Sequence, residues 1–183
     1  MEGCILSAPI HATEYDPNRQ KHFPIKMIRM IAACAHNGVM GAGGTLPWKI
    51  AEDWKYFLET THGDALLMGR RSYEDFTEYA QSRKVVVLSR NPSKKFPHAQ
   101  QAHNLKEGLA MAAELSSNIW VCGGREIYQE AMVLAEELYL TLIDAEYEGD
   151  VYFPKWKKFF TREISRKELT SNQPKLTFLI LGK

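Results

Sequence analysis

The chain has 183 residues, 45% of them hydrophobic and 25% charged, a balance that suits one globular unit with a sizeable core. Its 23 Lys and Arg against 22 Asp and Glu leave a formal charge of +1, so neither nucleic acid nor an acidic membrane surface is expected as a partner. Cys4, Cys34 and Cys122 are odd in number and widely spaced, without a C-x-x-C pattern, and the six histidines form no H-E-x-x-H pair. That usage argues against a disulfide framework and a zinc site and suits the reducing cytoplasm.

Residues 1–26 are polar, interrupted by Pro9, Pro17 and Pro24, and without helical or alternating period. They read as a flexible extension, with Glu2 standing where a secretory signal would be basic. The folded unit is expected over 27–183. Residues 28–35 are almost all small or apolar, as in a strand buried on both faces. The glycine-rich stretch from Gly38 to Trp48 is broken by Pro47. From Ile50 a helix is expected over 50–61, its apolar stripe running through Ile50, Trp54, Phe57, Leu58 and Thr61. A short strand at 65–68 leads to a helix opened by Ser72, with Asp75 completing a capping box. A strand at 84–89, a helix at 105–115, a strand at 119–122, a Gly-Gly pair, a helix at 126–134 and a strand at 137–143 follow. The alternation implies a single α/β domain with a mostly parallel central sheet covered by helices. Strands at 161–167 and 175–181, joined through Ser171-Asn172-Gln173-Pro174, form an antiparallel C-terminal edge hairpin. Lys94-Lys95 and Lys155-Trp156-Lys157-Lys158 are read as solvated faces.

Asp53 is the main chemical clue, because it falls inside the apolar arc of the 50–61 helix, one turn before Phe57. A carboxylate there needs a partner, and burial raises its proton affinity toward the range useful for a general acid or for anchoring a heterocycle. The alternative is a carboxylate satisfied by the free amides of the helix start. Two strand-to-helix junctions suit anions. Met68-Gly69-Arg70-Arg71-Ser72 sets two guanidinium groups at a helix mouth. Cys122-Gly123-Gly124-Arg125 offers bare backbone to a pyrophosphate, or is an ordinary tight turn. Neither matches a standard fingerprint, since Leu46 stands where G-x-G-x-x-G would end and Gly44 where the Walker lysine would stand.

In order and spacing, Ile31-Ala32-Ala33, Gly41, Leu46-Pro47-Trp48, Asp53, Phe57, Thr61, Met68-Gly69-Arg70, Ser72, Arg83, Leu88-Ser89, Gly123-Gly124, Tyr128, Thr141, Asp150 and Phe153-Pro154 resemble bacterial dihydrofolate reductase over nearly the whole folded unit. The resemblance implies NADPH-dependent reduction of 7,8-dihydrofolate to tetrahydrofolate, by a monomer in the cytoplasm. It implies that Asp53 pairs with the pterin and promotes protonation of N5, with Thr141 supporting it. Ile31, Ala33, Trp54, Phe57, Phe76 and Cys122 would line the substrate pocket, and Arg83 would hold the glutamate-tail carboxylate. Leu46 and Trp48 would close over the nicotinamide, with Tyr128 beside it. Arg70, Arg71 and Ser72 would meet the cofactor phosphates, and Arg90 would join Arg70 at the 2′-phosphate. Gly123-Gly124 would form the family's cis pair beside the pyrophosphate, with Ala33, Met40, Gly69, Leu88, Ser89 and Ile127 completing the cofactor side. The sequence departs from the family at Ala80, where a leucine is usual, and through residues 77–82, so a more open outer wall is expected. Asp75 and Glu78 add negative charge near the tail site, and Glu126 stands where some relatives have arginine. Competing readings are a reductase of another pterin or riboflavin precursor, and a non-catalytic folate- or nucleotide-binding relative.

Overall fold

A computed structural model describes residues 27–171 and 173–183. The expected extension at 1–26 lies outside the described residues, as does Asn172 of the hairpin turn. The elements follow in the order β1 (Met27–Ala35), β2 (Val39–Gly41), α1 (Ala51–Thr60), β3 (Ala65–Gly69), α2 (Arg70–Ala80), β4 (Lys84–Leu88), β5 (Gln100–Ala102), α3 (Leu105–Leu115), β6 (Asn118–Val121), α4 (Arg125–Ala131), β7 (Glu137–Ile143), β8 (Val151–Tyr152), β9 (Arg162–Leu169) and β10 (Leu176–Gly182).

Eight strands form one sheet in the order β5-β4-β3-β6-β1-β7-β10-β9. The pairs from β5 to β7 are parallel, and β10 and β9 add the antiparallel edge. Side chains alternate across a strand, and the core divides accordingly. Met30, Ala32 and Cys34 of β1, Ala65 and Leu67 of β3, and Ile119 and Val121 of β6 pack with Leu105 and Leu109 of α3 and Ala131 of α4. The intervening Ile31, Leu66, Met68 and Trp120 pack with Tyr73, Phe76 and Ala80 of α2, against which Trp54 and Phe57 of α1 lie. Two layers of helix thus seal opposite faces, which is why the central strands read as continuous apolar runs.

Three short strands escape the sequence pattern. β5, β2 and β8 are too short to show alternation, and the small antiparallel pair β2–β8 is made only by long-range approach. The start of α2 also differs. Gly69 is its N-cap with no side-chain cap bond, so Ser72 already lies in the helix and the expected Ser72–Asp75 capping box does not form. The Asp75 carboxylate instead accepts from Thr45 Oγ1 at 3.1 Å. A side-chain cap is found at α3, where Asn104 Oδ1 accepts the Glu107 N–H at 2.9 Å and the Glu107 carboxylate accepts the His103 N–H at 2.8 Å. α4 is shorter than expected, ending at Ala131.

The site is positioned by a split in the sheet. β1 pairs with β6 only from Met27 to Met30, whereas its pairing with β7 continues to Ala35. Beyond Met30, β6 follows β3 instead, with Cys122 N–H donating to Leu67 O at 2.8 Å and Gly69 N–H donating to Gly123 O at 2.7 Å. The backbone of β1 that β6 abandons must find another partner. Tyr128 of α4 provides it, donating its hydroxyl to Ile31 O at 2.5 Å. The gap left between β1 and β6 opens into the principal cavity.

Candidate active site

The cavity has a volume of about 910 Å³ and runs from α1 and the Gly38–Trp48 loop, across the split, to the ends of β4 and β5. At one end Asp53, in the first turn of α1, is buried. Ile50, not Asp53, occupies the N-cap, so the carboxylate is free to face the cavity. Burial raises its proton affinity above the ordinary carboxyl range, and the Thr141 side chain acts in the opposite sense by hydrogen bonding. Thr141 comes from β7, opposite Ala33 of β1, and both line the cavity with Ile31, Trp54, Phe57 and Phe76. Asp53 is the one buried residue of α1, whose apolar Trp54, Phe57 and Leu58 are half-buried, because much of that stripe borders a void rather than protein.

The wall beyond is aromatic. Trp54 packs on Phe57 and Tyr79 at centroid distances of 5.4 and 5.1 Å, and Phe76 on Tyr79 at 5.8 Å. Ala80 does not open this wall: it is fully buried with Phe76 and lies outside the cavity lining. Arg83 is also outside the lining. It reaches back to the C-terminal turn of α1, donating to Leu58 O at 3.2 Å and Thr61 O at 2.7 Å and to Thr61 Oγ1. These carbonyls are left free by the helix end and suit a guanidinium fork. Among the described residues Arg83 Nε is buried without a partner, and burial lowers the proton affinity of the side chain.

The Gly38–Trp48 loop covers the other side. Leu46 lines the cavity and is 37% exposed. Trp48 does not line it: the side chain turns under the loop, packing on Tyr147 at 5.2 Å within the cluster of Ala35, Val39 and Ile143. Of the two residues expected over the cofactor, only Leu46 is therefore at the cavity surface. The loop is tied down by Asp150, whose Oδ1 accepts the Gly43 N–H at 3.1 Å and whose own N–H donates to Gly41 O at 3.2 Å.

The far end is built for anions. Gly123 and Gly124 form a cis pair, with Gly123 at φ +111. A side chain at Gly123 would strike Ser72 Oγ at 2.9 Å, whereas nothing stands within 4 Å of the Cβ position of Gly124. A ligand can therefore approach bare backbone. Arg70, Arg71 and Arg90 line the same cavity. Arg70 is paired with Glu74 at 3.0 Å, which also holds Lys94 at 2.7 Å. Among the described residues Arg71 and Arg90 enter no ion pair, leaving both guanidiniums available to a phosphate. Met40, Gly69, Ser72, Leu88, Ser89, Cys122, Ile127 and Tyr128 lie on the lining as expected. Burial raises the Cys122 thiol far above its ordinary range, so it serves as wall rather than nucleophile.

The sequence did not single out several lining residues, among them Tyr56, Val151, Asn91, His103 and Asn104. Asn104 and Glu107 carried a readable signal, the capping pair before the 105–115 helix. Glu126, set aside from the sequence, also lines the cavity. Among the described residues no group of His, Cys, Asp and Glu is arranged to hold a metal ion, and no helix is long and apolar enough to cross a membrane.

Comparisons with known proteins bear on this site. A family model described as dihydrofolate reductase matches residues 27–183. Dihydrofolate reductase from Neisseria gonorrhoeae is 36% identical over 160 residues, covering 85% of this chain and 98% of that protein. Dihydrofolate reductase type 3 from Salmonella typhimurium is 35% identical over 140 residues, covering 76% and 86% respectively. The structure of dihydrofolate reductase from Enterococcus faecalis complexed with NADP(H) and RAB-propyl superimposes with a TM-score of 0.78 at 25% identity, covering 87% of this chain and 98% of that one.

Proposed function

Because the chain belongs to the dihydrofolate reductase family, we propose that the split-sheet cavity takes dihydrofolate at its Asp53 end and NADPH along its glycine- and arginine-lined end. The activity is NADPH-dependent reduction of 7,8-dihydrofolate to 5,6,7,8-tetrahydrofolate. The observation that carries the site assignment is a single buried carboxylate, Asp53, facing the cavity between an aromatic wall and the bare Gly123-Gly124 backbone. When bound, NADPH supplies the hydride that passes from its C4 to C6 of the substrate.

The protein's own groups orient and protonate. Asp53 holds the amino group and ring nitrogen of the pterin, and its raised proton affinity favours delivery of a proton to N5 through solvent. Thr141 fixes the Asp53 carboxylate. Ile31, Ala33, Trp54, Phe57, Phe76 and Cys122 exclude bulk water around the ring, and Leu46 covers the reacting face. Trp48 supports the loop from beneath. Tyr128, engaged with Ile31 O, holds the split open beside the reacting atoms. Arg83 takes the glutamate-tail carboxylate by turning its guanidinium outward from Leu58 O and Thr61 O toward the cavity. Arg70, Arg71, Ser72, Ser89 and Arg90 hold the phosphates, with Gly69, Gly123 and Gly124 allowing close backbone approach, while Ala33, Met40, Leu88 and Ile127 pack the cofactor's apolar surfaces.

A monomer in the cytoplasm is part of this reading, and the free thiols of Cys34 and Cys122 suit that compartment. Residues 27–183 constitute the catalytic domain, and a chain lacking residues 1–26 retains full turnover. The primary test follows NADPH absorbance with dihydrofolate, comparing the parent with Asp53→Asn at two pH values. Rapid turnover in the parent and a severe loss in the variant, partly relieved at low pH where substrate is already protonated, is expected. NADPH binding without turnover, or an active variant with an unchanged pH profile, would refute the assignment.

A further inference from the structure

A second cavity, of about 440 Å³, lies behind β1. Successive side chains of a strand point to opposite faces, so Ala33 borders the principal cavity while Cys34 turns to the α3–α4 face and forms part of this second wall. Gly38, Phe153 and Pro154 continue the wall, and the segment Lys155-Trp156-Lys157-Lys158 completes it. The two cavities have no lining residue in common.

A run of lysines is ordinarily a solvated face. Here the path of the chain gives it a different setting. Phe160 is buried and anchors the segment. Phe159 N–H and Phe160 N–H both donate to Trp156 O, at 2.9 and 3.1 Å, a tight turn that gathers Lys155, Lys157 and Lys158 around one cavity. Phe153 and Trp156 lie half-buried against the core beneath, while the lysines are exposed. No aspartate or glutamate lines this cavity, and among the described residues none of these lysines enters an ion pair. Lys157 Nζ stands 5.8 Å from the Trp156 ring and Lys158 Nζ 4.9 Å from the Phe159 ring, so aromatic faces are what these two ammoniums have in place of carboxylates. Like charges gathered this closely repel one another, and in a chain of net charge +1 they form a local excess that an anion relieves.

We propose that this cavity is a second ligand site, separate from the principal cavity, for a small aromatic organic anion. Its ring lies against Phe153 and Trp156, and its carboxylate or sulfonate is held by Lys155, Lys157 and Lys158. The size suits such a ligand, since cavities of roughly 300–1,000 Å³ hold small organic molecules, and a fused bicyclic acid fits within this one. The apolar floor supplies the affinity and the lysines select the sign of the charge. Ammoniums act as point charges without the fixed fork of a guanidinium, so the site discriminates by charge more than by the geometry of the acid group.

The test is equilibrium dialysis of 2-naphthoate against the full chain, both ligand-free and saturated with NADP⁺ and folate. Saturable binding of one equivalent is expected in both states with the same Kd. The triple substitution Lys155→Gln, Lys157→Gln and Lys158→Gln weakens it about tenfold or more, leaving dihydrofolate turnover and the thermal midpoint unchanged. The neutral 2-naphthamide binds the parent about tenfold more weakly than the acid. Loss of naphthoate binding on saturation with NADP⁺ and folate would place the acid in the principal cavity and overturn the proposal. Equal binding by the triple variant, or of the amide and the acid, would overturn it by removing selection for charge, and so would the absence of saturable binding up to about 10 mM. A short single-stranded oligonucleotide that displaces naphthoate and binds more tightly would make this face a polyanion surface and overturn the small-ligand reading. The lysine variant decides the matter even for a chain that takes neither folate nor NADP⁺.

Discussion

Replacing Gly149 with alanine tests whether the loop over the cavity depends on the β2–β8 pair. A methyl group at this position would stand 2.5 Å from Gly41 O and 2.5 Å from Val39 Cγ1. Ordinary contact begins near ~3.5 Å, so β2 must retreat by about 1 Å. It has little room to do so, because Val39 is fully buried. Gly41 O accepts the Asp150 N–H at 3.2 Å, and Asp150 Oδ1 accepts the Gly43 N–H at 3.1 Å; both bonds lie where the displacement acts. Overpacking costs about 1–3 kcal/mol, and two weakened hydrogen bonds add roughly 0.5 kcal/mol each at so exposed a site. The expected loss is therefore about 2–4 kcal/mol, read as a lower urea midpoint at unchanged slope, together with reduced turnover because the loop no longer rests against β8. Gly43→Ala is the comparison, since Gly43 has φ +59 with nothing within 4 Å and should show only the left-handed penalty of about 1–2 kcal/mol. A Gly149→Ala protein as stable as Gly43→Ala would refute the steric reasoning. Full loss of stability with unaltered turnover would refute the coupling of this pair to the loop.

Asp53 should cost stability in a pH-dependent way. Burial raises its proton affinity in the folded state above that of the unfolded chain, so the native protein holds this proton more tightly. The penalty is absent below the unfolded carboxyl range, grows as pH rises toward the folded value, and is complete above it. Asp53→Asn should therefore match the parent in acid and exceed it in thermal midpoint at neutral pH; equal midpoints at both would count against a desolvated carboxylate. Thr141→Val removes the group that lowers Asp53, so the acid-dependent limb of the kcat/KM profile should move to higher pH, whereas a shift downward would exclude Thr141 as its partner. Arg83→Lys cannot reproduce the fork on Leu58 O and Thr61 O. Loss of a charged hydrogen bond, about 1.5–3 kcal/mol, should raise KM for dihydrofolate roughly 10- to 100-fold with less effect on NADPH, and an unchanged KM would remove Arg83 from the substrate site.

The local pattern carried the elements whose burial is continuous or periodic. The helix at 105–115 and the strand at 137–143 were legible to the residue because their apolar spacing reports directly which face is covered. Asp53 was legible for the converse reason, as a charge in the wrong arc of a helix. Local pattern reports that a side chain is buried, but not which distant group meets it, and the remaining features depend on that second fact. The turn of Trp48 beneath the loop, the fold-back of Arg83 onto free carbonyls of α1, and the hydrogen bond from Thr45 to Asp75 in place of a helix cap are each chosen by partners far along the chain. The cavity itself exists because β1 outruns its pairing with β6 after Met30 and Tyr128 satisfies the carbonyl of Ile31 from 97 residues away. The sequence by itself determined a parallel sheet, its helices and one carboxylate that needed a partner. Only the tertiary structure decided where the sheet splits, since that depends on hydrogen bonds between backbones that no local pattern pairs.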